Sequence, residues 1–187
     1  MTHWQVCPLG PTGFGDSPYQ TFSAFAGNPY LIDLKKLVGE GLLVDADLEP
    51  FRFMPGSRTD FGLLYQTKWS VLQKAHLSLK KGSANNQLLK KFTTFRKAHE
   101  KWLNPFGLFM ALKEKFDGRS WLDWPKAFRE FQSIAQDDLE PDVLQLAESH
   151  EFYQFLFFDQ WTALKLYANG NGIQIIGDIP IFVSLDS

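Results

Sequence analysis

Asn169-Gly170-Asn171-Gly172-Ile173-Gln174-Ile175-Ile176-Gly177-Asp178-Ile179-Pro180-Ile181-Phe182-Val183 is the stretch that decides the fold class. Its Asn-Gly repeat stops the helix before it, and the run from 173 to 183 is nearly continuously apolar, which predicts a buried strand. Parallel α/β sheets produce such strands because helices cover both of their faces. Ahead of the stop, Pro141 or Asp142 opens a long helix expected to reach Ala168. At the other end of the chain, Trp4 to Leu9 (WQVCPL) is a second β-prone run, and it feeds the loop GPTGFGDSP, residues 10–18. Three Gly and two Pro in nine residues demand positive φ at some positions and fixed φ at others. A turn at Gly27-Asn28-Pro29 then leads to Tyr30–Leu34, read as another short β-prone or extended piece.

Between these ends the period changes to helical. Thr59 or Asp60 can cap a helix with Phe61, Leu64, Tyr65, Trp69, Leu72, Ala75 and Leu79 at three- and four-residue spacing, ending near Gly82. A second helix is expected from about Asn86 to Leu103, a third from Asn104-Pro105 to Asp117-Gly118, and a fourth near Asp123 and Pro125. The division that follows is an early strand with its loop in 1–57, a helical insertion in 58–150, and a crossover helix with the next strand in 151–187.

The chain of 187 residues has room for one domain with a real core, and its 44% apolar and 21% charged residues exclude disordered, collagenous and coiled-coil classes. Its 16% aromatic content is high, with 18 Phe, 6 Trp and 5 Tyr. Net charge is −2, which argues against nucleic acid or an anionic membrane as partner. Residues 58–101 nonetheless carry ten Lys/Arg against two Asp/Glu, and because these fall between the apolar positions they read as solvated helix faces. One cysteine, Cys7, allows no internal disulfide and fits a reducing compartment; without a leader-like start or a long apolar run, the expectation is cytoplasmic.

Few residues suggest chemistry. Gly10, Gly13 and Gly15 are spaced G-x-x-G-x-G, no Gly-Lys-Ser/Thr follows, and Pro18 interrupts any phosphate-binding helix, so a nucleotide loop is not expected. His3, His76, His99 and His150 are scattered, and no metal site is expected. Ser17 lacks a nucleophile elbow. The acids Asp137, Asp138, Glu140 and Asp142 precede a helix, where carboxylates complement the dipole. What remains is residues 13–20, GFGDSPYQ, which group an acid, a hydroxyl, two aromatics and an amide. Sugar sites use this mixture, because a pyranose stacks on rings through its faces and bonds carboxylates and amides through its edges; a rigid polar turn accounts for it equally well. The carboxyl end of the late strand is the other place for a ligand, with Asp178 inside the strand and Asp186 just beyond it.

WQVCPLGPTGFGDSPYQTFSAFAGNPYLIDL (4–34) resembles the signature of the 4-alpha-glucanotransferases, also called amylomaltases or disproportionating enzymes. GIQIIGDIPIFVSLDS (172–187), FYQFLFFDQW (152–161) and SWLDWP (120–125) are similar to the same family. The resemblance implies a (β/α)8 barrel of the glycoside hydrolase type with a helical insertion, no cofactor, and transfer of α-1,4-glucan segments between maltooligosaccharides. Such a retaining reaction needs a carboxylate nucleophile and a carboxylic acid about 5 to 5.5 Å apart. In the family both lie on later strands, the nucleophile in an Arg-Ile-Asp-type motif that this chain lacks. A barrel takes about 250 residues before insertions. The chain is therefore expected to be an inactive N-terminal fragment that starts after the family's first strand, with no catalytic residue of its own. A non-catalytic glucan-binding module, or half of a split enzyme whose barrel a second polypeptide completes, are the alternatives. By resemblance, Tyr19 contacts the sugar beside the cleavage point with Ser17 close by, and Phe14 replaces a tyrosine at a second glucan contact. Asp186 corresponds to a loop aspartate that binds sugar hydroxyls, and Asp178 is assigned to substrate binding or, more readily, to structure. Most of the remaining rings are expected to pack the core.

Overall fold

The computed structural model of the chain describes residues 1–82, 86–130, 134, 139–180 and 184–187, with Phe14 described by its backbone alone. The chain is mostly helical with one small parallel sheet. Strands β1 (His3–Gln5) and β2 (Gln174–Ile176) pair with His3 opposite Gln174, Trp4 opposite Ile175 and Gln5 opposite Ile176. Gln174 N–H donates to Thr2 C=O at 2.8 Å and Val6 N–H donates to Ile176 C=O at 3.0 Å, continuing the ladder at each end.

Parallel pairing agrees with the apolar run at 173–183, but the extent and burial of the strand do not. The ladder stops at Ile176, and β2 is exposed or half-exposed throughout. Among the described residues the sheet has two strands, so each has one edge without a ladder partner, and Trp4 and Ile176 stand 54% and 47% exposed. Residues 181–183 of the expected strand lie outside the described residues. The first strand is also shorter than Trp4–Leu9: Pro8 has no N–H to give a ladder, and Leu9 C=O accepts from Asn28 N–H at 2.7 Å.

The chain packs as two compact units, residues 1–29 with 98–187, and residues 30–97. The three sequence segments follow element type along the chain, whereas the units follow packing. In the second unit, α1 (Leu34–Gly39) starts at Asp33, whose carboxylate accepts from Lys35 N–H, and α2 (Phe61–Lys80) starts at Asp60, which accepts from Leu63 N–H at 3.0 Å. Leu64, Leu72, Ala75 and Leu79 of α2 are buried at the expected spacing. Tyr30–Leu34 forms no strand: a 3-10 turn covers Pro29–Leu31, Asp33 before α1 has extended backbone, and Lys68 Nζ donates to both Tyr30 C=O and Ile32 C=O at 2.7 Å. Of the ten cations in 58–101, Lys68 is buried and Arg96 half-buried, while the rest are exposed, as solvated faces require.

The helices expected as two at 86–103 and 104–117 are one, α3 (Asn86–Lys115), with Pro105 inside it. Proline removes one helical hydrogen bond, but Leu103, Phe106, Leu108, Ala111 and Leu112 are buried around it, and that packing outweighs the local loss. The helix expected near Asp123 is replaced by 3-10 turns at Trp121–Asp123 and Lys126–Phe128. Residues 131–133 and 135–138, with Asp137 and Asp138 of the acidic cluster, lie outside the described residues. The last helix, α4 (Pro141–Gly170), has Pro at its first turn, and Asp142 Oδ1 accepts from Val143 N–H there at 2.9 Å. From Ser149 to Phe157 every residue of α4 is buried, which is the mark of a helix enclosed on all sides. Most rings pack together as expected: Phe25 stacks on Trp102, Trp102 meets Phe106 and Phe158, and Phe109 and Phe116 lie against Trp124. Among the described residues no helix is long and apolar enough to cross a membrane.

Candidate functional site

The loop after β1 is closed by its own backbone. Thr12 and Thr21 form an isolated antiparallel bridge, and Gly13 N–H donates to Gln20 C=O at 2.6 Å. A Cβ on Gly13 would stand 2.5 Å from that oxygen, so the closure requires glycine. Within the loop Gly15 takes φ +68 and Asp16 takes φ +58. The first suits glycine; the second is uncommon outside glycine, aspartate being one of the few residues that tolerate it, and costs on the order of 1 kcal/mol. Thr12 Oγ1 and Asp16 Oδ1 are buried without a hydrogen-bond partner among the described residues. Strained, polar loops of this kind are where ligand contacts collect.

Ser17 and Tyr19 are set by the same turn. Tyr19 N–H donates to Ser17 Oγ at 3.2 Å, and Gln20 N–H donates to Ser17 C=O at 3.2 Å. The Ser17 hydroxyl thus shapes the turn that presents Tyr19, whose ring is 49% exposed. Tyr19 Oη donates to Asp178 Oδ2 at 2.9 Å, and Asp178 Oδ1 accepts from Ile179 N–H at 2.8 Å. Asp178 lies two residues past β2 and Tyr19 on the loop past β1, so the pair forms beyond the carboxyl ends of two adjacent parallel strands, where α/β folds bind ligands. Asp178 also borders a cavity of about 160 Å³ with Gly10, Phe25, Phe157, Trp161 and Pro180. A larger cavity of about 490 Å³ lies among Phe22, Trp102, Phe109, Trp121 and Trp124 but, among the described residues, is lined by no carboxylate side chain.

The hydrogen bond to Asp178, and then the charge of that carboxylate, hold the Tyr19 phenol above its ordinary pKa, with smaller contributions from burial and from Cys7. With its O–H committed as donor to Asp178, Tyr19 Oη faces any further ligand as an acceptor, a role suited to a hydroxyl donor. Replacing Asp178 with asparagine is expected to bring the Tyr19 titration back down toward that of a free tyrosine. Tyrosinate absorbance against pH, with Tyr19→Phe identifying the signal, measures it; an unmoved titration would dissolve the pair.

Asp186 has different partners. Its Oδ2 accepts from Lys113 Nζ at 2.5 Å, its Oδ1 accepts from Trp121 N–H at 3.0 Å, and its own N–H donates to Ser184 Oγ at 3.1 Å. The Phe14 side chain lies outside what is described. The structure therefore joins Ser17, Tyr19 and Asp178 in one cluster and ties Asp186 to α3. Gln154, which sequence reasoning passed over, accepts from Gly27 N–H at 2.7 Å through Oε1 and donates to Gly27 C=O at 2.9 Å through Nε2. One amide within the apolar run FYQFLFF was the available signal, since a polar group buried there needs partners. Lys113 and Cys7 had none. Among the described residues no group of three or more His, Cys, Asp or Glu is placed to hold a metal ion.

Comparison with known proteins adds a family. The family described as 4-alpha-glucanotransferase matches residues 1–187. A 4-alpha-glucanotransferase of Thermus thermophilus is 47% identical over 185 residues, covering 99% of this chain and 36% of that protein. One from Clostridium butyricum is 43% identical over 190 residues, covering 99% of this chain and 37% of the relative. Among solved structures, the amylomaltase from Streptococcus agalactiae in complex with acarbose superposes with a TM-score of 0.87 at 39% identity, covering 100% of this chain and 37% of that one. The chain thus spans little more than a third of the length of these relatives.

Proposed function

Since the chain belongs to the 4-alpha-glucanotransferase family, we propose that it forms part of the glucan-binding surface of an enzyme that transfers α-1,4-glucan segments between maltooligosaccharides with retention. The observation that carries this reading is the Tyr19–Asp178 pair beyond the strand ends, in a chain matched by the family over its whole length. In this reading β1 and β2 are neighbouring strands of a (β/α)8 barrel of the glycoside hydrolase type, and the helices between them form its insertion. Tyr19 accepts a sugar hydroxyl, Ser17 and Asp178 fix its position, Asp186 accepts a second hydroxyl, and Phe14 gives a stacking face to a more distant glucose. The nucleophile and the general acid, which retention requires, belong to strands outside these 187 residues. No cofactor is needed, and the setting is cytoplasmic.

The exposed sheet favours a companion reading. Trp4 and Ile176 on the strands, and Ile179 just past β2 at 74% exposure, need cover from further barrel strands, supplied by a longer polypeptide or by a second one. Incubation with maltotriose tests both. The 187-residue chain alone is expected to give neither glucose nor longer oligosaccharides, and mixing it with the remaining two thirds of the Thermus thermophilus relative is expected to restore both. Turnover by the chain alone would overturn the placement of the catalytic carboxylates. The binding role is read separately: maltoheptaose should bind the chain, and Tyr19→Ala should weaken it about tenfold. Equal affinity in wild type and variant would remove Tyr19 from the site.

A further inference from the structure

We infer that Lys113 is a positioning residue for the Asp186 carboxylate, an inference that rests on reading Asp186 as a glucan contact. Lys113 is 7% exposed, and its ammonium has three protons and three acceptors: Gly118 C=O at 3.2 Å, Arg119 C=O at 3.2 Å and Asp186 Oδ2 at 2.5 Å. The two carbonyls belong to the turn that ends α3, where Gly118 takes φ +73 and returns its N–H to Lys113 C=O at 2.7 Å. The helix end therefore folds over its own last buried cation and leaves one proton, aimed at Asp186.

The surroundings fix that aim. Lys113 Nζ lies 5.1 Å from the centre of the Phe22 ring and 5.9 Å from that of Phe109, placements that favour a cation over the faces. Phe22 follows Thr21, whose C=O accepts from Ser184 N–H at 3.2 Å. Trp121 closes the other side: its N–H donates to Asp186 Oδ1, and its indole N–H donates to Leu185 C=O at 2.9 Å. Both Asp186 oxygens are thus oriented, and each carboxylate oxygen accepts more than one hydrogen bond, so capacity for sugar hydroxyls is left.

Stability alone is a poor account of this arrangement. Well-packed apolar side chains in place of a buried ion pair are often neutral or stabilising, whereas a charge pair sets a geometry that apolar contacts do not. The geometry set here is that of a hydrogen-bond acceptor at the end of a loop.

The test uses the 187-residue chain with Lys113→Met, Lys113→Arg, Asp186→Asn and the double variant Lys113→Met/Asp186→Asn. Hydrogen exchange of the Trp121 amide and affinity for maltoheptaose are the two readouts. Lys113→Met is expected to speed Trp121 exchange about tenfold while Phe152 and Leu156 in α4 keep their protection, and to weaken maltoheptaose about tenfold. Lys113→Arg should recover most of both, and the double variant should bind no worse than Asp186→Asn, because the two residues act as one. Wild-type exchange and affinity in Lys113→Met would overturn the inference, as would losses that add in the double variant. If Asp186→Asn binds like the wild type, the reading of Asp186 fails first and the inference with it, which separates the two failures. Should Lys113→Met not fold, Lys113→Gln, which keeps donors for the Gly118 and Arg119 carbonyls, takes its place with the same expectations.

Discussion

Gly27→Val should abolish folding of the unit made by residues 1–29 and 98–187, or lower its stability by about 3 kcal/mol or more. A Cβ at Gly27 would stand 2.0 Å from Phe157 Cδ1, 2.2 Å from Cε1 and 2.4 Å from Cγ, inside the ring's own volume. Neither side can yield cheaply. The Gly27 backbone is clamped at both its N–H and its C=O by the Gln154 amide, and Phe157 is 6% exposed and packed edge-on to Phe158 at 5.2 Å. Moving the backbone leaves buried amide groups unsatisfied, at roughly 1 to 3 kcal/mol each. Gly170→Ala is the matched control, since nothing lies within 4 Å of a Cβ there. Urea unfolding followed by tryptophan fluorescence compares them; equal midpoints would show that the Phe157 contact yields.

The second large effect is a dependence of stability on pH in the unit spanning residues 30–97. Burial pushes Lys68 down to about 8 from an ordinary 10.5, partly offset by the charge of Asp33. Below pH 8 the ammonium is charged in both folded and unfolded chains, and the fold carries the full cost of burying it. Between pH 8 and 10.5 the unfolded chain still binds the proton that the folded chain has released, so stability rises with pH by roughly 3 kcal/mol in all. The neutral amine keeps two N–H groups for the Tyr30 and Ile32 carbonyls, so the gain does not come at the expense of those bonds. In the other unit, burial raises Tyr153, and its unfolded form ionises first, which erodes stability above about pH 10. The measurement is the urea midpoint at pH 7, 8 and 9, in wild type and Lys68→Met. A rise in the wild type that vanishes in the variant is expected; parallel curves would remove Lys68 as the cause.

These residues show where sequence reasoning reaches and where it stops. Helix α2 was legible to its cap, because Asp60 and the spacing Leu64, Leu72, Ala75, Leu79 are local marks of a helix in a core. Pro105 misled for the same reason: it is a strong local mark for a helix start, yet the buried residues on both sides of it keep α3 continuous. The apolar run after Gly172 indicated a parallel strand correctly, but its burial depends on neighbours that the run itself does not contain. The Tyr30–Leu34 piece was read by β-propensity, whereas its conformation is set by a lysine 36 to 38 residues away.

Site residues divide in the same way. Ser17 and Tyr19 stand two apart in a loop whose density of Gly and Pro marks it as unusual, and family resemblance singled them out. That Asp178 would meet Tyr19 across 159 residues was written in no local pattern. Lys113 reads from sequence as a cation in the last turn of a helix, one of the commonest placements for lysine. Only the fold shows that it is buried and turned toward Asp186, 73 residues on.

The pairing of β1 with β2 also sets an order of events. His3 finds its partner Gln174 only after the chain has closed a loop of about 170 residues, at an entropic cost on the order of 4 to 5 kcal/mol before any constant term. Helices α1 and α2 form from contacts close along the chain and carry no such penalty. During synthesis at about 5 to 20 residues per second, β1 waits on the order of ten seconds or more before its parallel neighbour leaves the ribosome. Through that interval the Trp4 side of the chain is an unpaired strand, so the three-residue ladder of the sheet forms after the local helices and β1 stands open to other partners while it waits.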